Sequence, residues 1–443
     1  MTNVTTPEAG RLSITEYLSP HAHEVGPLVV ASGGGKSAQV FTAARLLSAH
    51  LNTVPIVVAV NEPLPYYITG AAPEMIVPPE LYDTQRERLR AEVTRALGST
   101  YDGDPAWPIE VVDGQPARVL ADVSRKWGAR LIVMGIGRHA PMDRLMGGEL
   151  TLQVIRLADR PVLAVTHNFV DLPRHVVVAV DFSAASVRAA VEALALVAEG
   201  GTLTLVHVRS PLERLAAKGE DTLGTIYTEG IDRLFAQLVS RLERAVAGRR
   251  PVTIEKVLLT GDPGDELLAY AEANGADLIA TGSSGMGFFQ RLMVGSVATR
   301  IVRRSPVSVL AVPRPSAVMV EMIERDLAGE TAGTVETTEA DRWPALLEEF
   351  TARNKGRPTR LEVDAPETGA QVLETGYTLV GGSYDRKDGR LELMFRAPGD
   401  ASGHLTHAIS QVTSVAVLTG AGRRDLALQA RHGQGQTVLT FQE

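Results

Sequence analysis

Glycines and a serine in the stretch GSSGMGFFQRLMVGS could bind phosphate. Gly282 precedes Gly285 by three residues, and Gly295 stands directly before Ser296 and a helix predicted over 297–304. Glycines lack a Cβ atom, so the chain can turn tightly and bring backbone N–H groups close to an anion. The first turn of a helix adds free N–H groups and a favourable dipole. We therefore predict a triphosphate site here; the alternative is an ordinary loop in which Ser296 only caps the helix.

A carboxylate follows another strand-like run, in the stretch VAVDFS. Asp181 can accept hydrogen bonds from an amino group or a ribose hydroxyl. The alternative is that Asp181 or Ser183 caps the next helix. These residues by themselves favour neither function.

The stretch ASGGGKSAQV, residues 31–40, contains only part of a P-loop. A P-loop has a glycine six residues before its lysine, and Val30 takes that place before Lys36. The segment is therefore predicted to be a flexible turn between a strand and a helix. A small anion nest, formed by successive N–H groups and Lys36, remains the alternative.

The elements that must position these residues belong to an internal repeat. Residues 111–135 align with residues 258–282. Three glycines recur at a spacing of 147, and the pairs are Gly114 with Gly261, Gly128 with Gly275 and Gly135 with Gly282. Further matches extend the two repeats over 25–168 and 173–313.

In the second repeat, apolar runs of strand length alternate with segments of helical periodicity, which predicts an α/β fold with a doubly wound parallel sheet. The predicted strands are 175–181, 203–208, 253–259, 277–282 and 307–312. In such a sheet a ligand binds beyond the carboxyl ends of the strands at the switch point, here between the first and fourth strands. Asp181 and the glycine loop follow those two strands.

Together these features resemble the ATP-binding branch of the universal stress protein family. The resemblance rests on the spacing G-x2-G-x9-G-S, on Asp181, on His207-Val208 after the second strand and on the segment LIATGSSGMG…GSVATRIVRRSPVSVLAV. It implies two tandem domains with an adenine nucleotide α-hydrolase-like fold, in which ATP lies across strands one and four. It also implies pairing of the repeats through their last strands, 161–165 and 307–312, and leaves a homodimer open.

The resemblance further implies which residues hold the nucleotide. Asp181 and the backbone of Val208 would hold adenosine, while the glycine loop would hold the phosphates. Whether Mg²⁺ accompanies the phosphates stays open. The full set of ATP-binding residues is Ala179, Val180, Asp181, Val208, Thr281, Gly282, Ser283, Gly285, Gly295, Ser296 and Val297.

The first repeat departs from this pattern. Arg138 replaces the second glycine of the motif, Glu149 replaces its serine, and Gly33 or its neighbour replaces the aspartate. Arg138 would crowd the backbone, and Glu149 would place a like charge at the helix end meant for phosphate. We expect this repeat to have lost ATP binding or to bind another ligand.

The other residues divide into an N-terminal tail at 1–24, a Thr- and Glu-rich linker at 314–341 and a domain at 342–443. The last domain combines one helical pattern with strand-like runs, which predicts a small α+β or barrel-like module. His404 and His407 are interpreted as surface or strand residues, because no third metal ligand is in view.

Composition limits the classes of function. The 443 residues carry a net charge of −8 and include no cysteine, so disulfides and zinc-thiolate sites are excluded. This charge gives no electrostatic footprint for nucleic acid or an anionic membrane, and no apolar run approaches membrane-spanning length. We expect a cytoplasmic protein without nucleic-acid or membrane partners.

Three functions stay open at this point. The first is a nucleotide-dependent regulator of stress responses with ATP in the second repeat. The second is an enzyme that slowly hydrolyses ATP or transfers its phosphoryl group, although no base aimed at water is evident. The third is a ligand-free scaffold that acts through strand pairing and its C-terminal domain.

Overall fold

The computed structural model describes residues 11–13, 26–34, 37–62, 79–100, 107–136, 143–209, 222–246, 251–283, 295–313, 334–365, 369–397, 404–420, 424–432 and 435–441. Its elements form two units. One unit contains both repeats, and the other contains the C-terminal domain with the short strand β1 (Arg11–Ser13). Within these described ranges, no helix is both long and apolar enough to cross a membrane.

The described residues of the first repeat form five strands and four helices. The strands are β2 (Leu28–Ser32), β3 (Pro55–Asn61), β4 (Ile109–Asp113), β5 (Leu131–Gly135) and β6 (Val162–Val165). The helices are α1 (Ala38–Leu51), α2 (Pro79–Thr100), α3 (Pro116–Lys126) and α4 (Asp143–Leu157). The central strands are buried on both faces, as in a parallel sheet covered by helices on both sides.

The described elements of the second repeat follow the same order. Its strands are β7 (His175–Ala179), β8 (Thr202–Arg209), β9 (Thr253–Thr260), β10 (Leu278–Gly282) and β11 (Ser308–Val312). Its helices are α5 (Ala184–Leu196), α6 (Thr222–Val246), α7 (Pro263–Ala273) and α8 (Ser296–Arg304). Asp262 caps α7 by accepting hydrogen bonds from the N–H groups of Gly264 and Asp265.

All ten strands of the repeats lie in one sheet, in the order β4-β3-β2-β5-β6-β11-β10-β7-β8-β9. The first strand of each repeat pairs in parallel with the fourth, which confirms the predicted doubly wound fold. At the centre, β6 pairs antiparallel with β11. Because the last strands of the repeats pair with each other, neither is a free edge for a second copy of the chain.

The C-terminal unit is an antiparallel sheet in the order β1-β12-β17-β18-β19-β13-β14-β15-β16. Its further strands are β12 (Thr334–Thr337), β13 (Pro358–Ala365), β14 (Gly369–Asp385), β15 (Arg390–Arg396), β16 (His404–Ile409), β17 (Val412–Thr419), β18 (Asp425–His432) and β19 (Gly435–Phe441). Helix α9 (Trp343–Asn354) buries Leu347 and Phe350 in the core of this sheet. The predicted α+β class is confirmed.

Two of the predicted segments contain secondary structure that the sequence did not indicate. Residues 11–13, assigned to the N-terminal tail, form β1 and pair with β12. The end of the predicted linker forms β12 itself and a 3-10 turn, Ala340–Arg342. Both strands have only three or four residues, which is too short to show the alternation by which strands are predicted.

Candidate functional site

The carboxyl ends of β7 and β10 bring most of the predicted site residues to one edge of the sheet. Because the two strands pair in parallel, Val180 and Asp181 reach the same edge as Thr281 and Gly282. Strand β8 pairs with the other side of β7 and carries Val208 near its end. The remaining loop glycine of the motif, at 285, is outside the described residues.

Asp181 stabilises the turn that leads into α5. Its Oδ1 atom accepts hydrogen bonds from the Ser183 N–H group at 3.0 Å and from the Ser183 hydroxyl at 2.5 Å. Ser183 in turn caps α5 by accepting from the N–H group of Ser186 at 3.3 Å. The capping alternative is therefore present, and Oδ2 of Asp181, which has no partner in the described part of the chain, can still accept from a ligand.

An aromatic cluster supports this turn, and the sequence analysis did not find it. Phe182 has a left-handed backbone conformation with φ of 61°. Its ring centroid lies 5.1 Å from that of His207 and 5.1 Å from that of Phe235. His207 donates a 2.7 Å hydrogen bond from Nδ1 to the carbonyl of Val180, which ties the end of β8 to the end of β7. The Nε2 atom of His207 is buried and has no partner among the described residues.

Backbone hydrogen bonds fix both ends of the glycine loop. The N–H group of Ser283 donates to the Val312 carbonyl at 2.8 Å, and the N–H group of Gly295 donates to the Ser283 carbonyl at 2.7 Å. A Cβ atom at Gly282 would lie 2.9 Å from Ala185. Close packing of α5 against β10 is thus a second reason for glycine at this position.

The first turn of α8 has backbone N–H groups without an acceptor among the residues that the structure describes. Gly295 is the N-cap and the helix begins at Ser296, which is exposed. The N–H groups of Ser296, Val297 and Ala298 have no acceptor within the helix, whereas Thr299 donates to the Gly295 carbonyl. No acidic residue lies in this turn, so the positive end of the helix dipole is not neutralised by the helix itself.

Two arginines of α8 are paired with carboxylates of α7. Arg300 contacts Asp262 at 2.5 Å and Asp265 at 2.9 Å, and Arg304 contacts Asp265 at 2.9 Å. Exposed pairs of this kind are worth about 0–1 kcal/mol each. These ion pairs orient α8 against α7.

The first repeat has no open helix end at the corresponding place. Helix α4 begins at Asp143, so Glu149 lies in its second turn, where backbone N–H groups are bonded within the helix. The sequence predicted that Glu149 would lie at the start of a helix, and this prediction is wrong. Its carboxylate pairs with Arg303 of α8 at 3.3 Å. Arg138 is outside the described residues.

The first strand–helix turn of the first repeat lies beside a carboxylate. The Ser32 hydroxyl contacts that of Ser37 at 2.9 Å and accepts a 3.3 Å hydrogen bond from the N–H group of Gly34. A Cβ atom at Gly34 would lie 2.9 Å from Oε2 of Glu92. This negative charge disfavours an anion at the turn. Lys36, the cation of the predicted nest, is outside the described residues.

Comparison with known proteins identifies both repeats. Residues 27–166 and 173–313 match the universal stress protein family. The chain belongs to this family. In this universal stress protein, residues 334–443 also match a family of unknown function, DUF5335.

Several curated proteins and solved structures are similar to parts of the chain. Universal stress protein MJ0531 of Methanocaldococcus jannaschii is 30% identical over 158 residues, covering 34% of this chain and 89% of that one. A solved universal stress protein of Archaeoglobus fulgidus is 21% identical, with a TM-score of 0.47, and covers 68% of this chain and 98% of that one. A universal stress protein solved in complex with cAMP is 26% identical, with a TM-score of 0.26, and covers 33% of this chain and 100% of that one.

The histidines of the C-terminal domain of this universal stress protein do not form a metal cluster within the part that the structure describes. His404 and His407 both lie on β16, the last strand of the sheet. Across the described ranges, no group of three or more His, Asp or Glu side chains could hold a metal ion.

Acid is expected to destabilise this C-terminal domain. Burial lowers the pKa of His407, and burial followed by the charge of His407 lowers the pKa of His432. Protonation therefore costs more in the folded chain than in the unfolded chain, whose histidines titrate near pH ~6.5. Stability is retained above about pH 6.5 and is lost as the pH falls from there through the lower folded pKa values.

Urea unfolding at several pH values measures this effect. Fluorescence of Trp343 reports on the C-terminal domain when Trp107 and Trp127 are replaced by phenylalanine, since the sequence has three tryptophans. His407→Gln should reduce the loss of stability in acid, whereas His404→Gln, at an exposed position, should not. Equal acid sensitivity of the parent and the His407 variant would contradict the prediction.

Proposed function

We propose that the second repeat of this universal stress protein binds ATP, and that occupancy of this site regulates how the protein acts in stress responses. The observation that carries this proposal is a difference between the repeats at equivalent places. The second repeat has an open helix end at Ser296, whereas the first has a continuous helix through Glu149 and a carboxylate beside Gly34. Anions bind readily at open helix N-termini.

The geometry supports a nucleotide that extends along the edge of the sheet. Adenosine would contact Oδ2 of Asp181 and the backbone of Val208, which follow neighbouring strands. The phosphates would reach the loop after Gly282 and the N–H groups of Ser296 and Val297. Mg²⁺ would be held by the phosphate oxygens, the ligands that it prefers in nucleotide sites.

Binding rather than turnover is the role that we propose. Asp181 is the carboxylate that follows β7, and one of its oxygens is engaged by Ser183 in its own turn, which disfavours its use as a general base. The antiparallel pairing of β6 with β11 supports an intramolecular pair of repeats as the functional assembly. We further propose the cytoplasm as its location.

Placing the glutamate of the first repeat at the equivalent position of the second repeat tests ATP binding. Ser296→Glu is expected to weaken ATP binding by about tenfold to a hundredfold, because it places a negative charge where the phosphates would meet the helix. Calorimetric titration of ATP with Mg²⁺ into each variant measures this loss. Glu149→Ser is the matched control and should leave the affinity unchanged, because its carboxylate already pairs with Arg303 in the first repeat.

Chromatography of nucleotide released from the denatured protein gives an independent measurement. Adenine nucleotide in nearly equimolar amount would support the proposal, and its conversion to ADP on incubation would favour the enzyme. If ATP gives no heat with well-folded protein, with or without magnesium, the proposal is wrong. The scaffold function would then be favoured.

A further inference from the structure

A pseudo-twofold axis passes through the centre of the ten-stranded sheet. In the antiparallel pair of last strands, Leu163 lies directly opposite Leu310, and the flanking pairs are arranged symmetrically about them. The numbers of these two leucines differ by 147, the spacing of the repeat, so each is the equivalent of the other. A residue that faces its own equivalent marks the axis, as in an isologous interface.

An ion pair between helices α4 and α8 joins the two repeats near this axis. Helices α4 and α8 are equivalent elements, and they contact each other there. Arg303, in the last turn of α8, contacts Glu149 of α4 with an N–O distance of 3.3 Å. This pair shows that an arginine near the end of one helix reaches residue 149 of the other.

The pseudo-twofold axis relates the positions of this ion pair to a second, equivalent pair of positions. It relates Arg303 to Arg156 and Glu149 to Ser296, each 147 residues apart. From this symmetry we expect Arg156 of α4 to face the first turn of α8, at the beginning of that helix in the second repeat. Arg156 is exposed and, among the residues that the structure describes, has no ion pair or hydrogen bond.

The second pair of positions, Arg156 and Ser296, lacks a carboxylate like that of Glu149. Glu149 neutralises Arg303, but Ser296 offers Arg156 only a hydroxyl group. The charge of the Arg156 guanidinium would therefore stay uncompensated beside N–H groups of α8 that have no acceptor among the described residues. This place would then combine two groups that attract anions, one from each repeat.

We propose that Arg156 of the first repeat binds the outer phosphates of a nucleotide held by the second repeat. A phosphate oxygen would occupy the position, relative to Arg156, that the Glu149 carboxylate occupies relative to Arg303. Arginine suits this role because its planar guanidinium can form two parallel hydrogen bonds to a phosphate. The inference rests on the proposed function, and it assigns a ligand class to the site, namely nucleoside di- and triphosphates in preference to monophosphates.

Titration of ATP and AMP into matched variants tests this assignment. Arg156→Ala is expected to weaken ATP binding by about tenfold, the loss of one charge-assisted contact at an exposed site, and to change AMP binding by less than about twofold. Arg303→Ala, at the equivalent position of the other repeat, should leave both affinities unchanged. Arg156→Lys should recover part of the ATP affinity, because it keeps the charge but loses the paired hydrogen bonds.

The outcomes separate this proposal from the ATP site itself. If wild-type protein binds ATP and Arg156→Ala binds it equally well, or if ATP and AMP binding weaken by the same factor, the assignment of Arg156 is wrong while the ATP site stands. If wild-type protein binds no ATP, both proposals are wrong.

A cross-linking experiment tests the geometry without any nucleotide. The chain has no cysteine, so the double variant Arg156→Cys with Ser296→Cys carries only the two introduced thiols. A short bifunctional maleimide should join them as efficiently as it joins the control pair Arg303→Cys with Glu149→Cys, whose side chains are in contact. Cross-linking of the control pair alone would overturn the proposed position of Arg156.

Discussion

Replacing Asp425 by alanine is expected to destabilise the C-terminal domain by about 3 kcal/mol, because hydrogen bonds to a buried charged group are worth about 1.5–3 kcal/mol each. The Asp425 side chain is fully buried. Its Oδ2 atom accepts hydrogen bonds from Nε of Arg353 at 2.8 Å and from Nδ2 of Asn354 at 2.5 Å. These contacts join the end of α9 to β18. The Arg353 side chain is 40% exposed, so water offsets part of its loss.

Urea unfolding followed by Trp343 fluorescence measures this change, in the background without the other two tryptophans. Glu348→Ala is the control on the same helix, because Glu348 is exposed, and its effect should stay within about 0.5 kcal/mol. A loss of less than about 1 kcal/mol for the Asp425 variant would show that this network adds little to the stability of the domain.

The centre of the ten-stranded sheet is expected to be equally sensitive. Leu163→Ala and Leu310→Ala should each reduce the free energy of unfolding of the repeat unit by about 2–5 kcal/mol, the usual cost of a cavity in a packed core. Both leucines are fully buried. Since they lie opposite each other in the β6–β11 ladder, each variant opens a cavity against the other's side chain.

The double variant gives a sharper measurement than either single variant. Side chains in contact are not independent, so the combined loss should differ from the sum of the single losses by about 0.5–3 kcal/mol. Chemical denaturation followed by circular dichroism provides these values. Val54→Ala serves as the control, because Val54 is 61% exposed and should contribute little. Strict additivity would mean that the two leucines do not pack on each other.

Much of the repeat unit could be predicted because local and long-range signals agree there. The apolar run around Val176 to Val178 is buried on both faces, as a central parallel strand requires. Asp262, Pro263 and Gly275 mark the ends of α7 by chemistry that acts within a few residues. The neighbouring positions of β7 and β10 followed from the topology of doubly wound sheets rather than from any single residue.

Other features could not be predicted because they depend on tertiary contacts. Helix α4 continues through Gly147 and Gly148, which have low helix propensity and suggested a later start. The positive φ of Phe182 reflects packing of its ring on His207 and Phe235, which come from distant parts of the chain. Neither feature produces a pattern in the neighbouring residues from which it could be predicted.

The pairing of the last strands also bears on how the candidate sites of the two repeats could diverge. In a dimer of identical chains, every codon specifies a residue in both subunits, so a mutation that closes one pocket closes the other. Here each pocket is encoded separately although the halves share one sheet. One candidate pocket can therefore lose its ligand while its residues come to contact the ligand of the other. A dimer of identical chains cannot separate the two functions in this way.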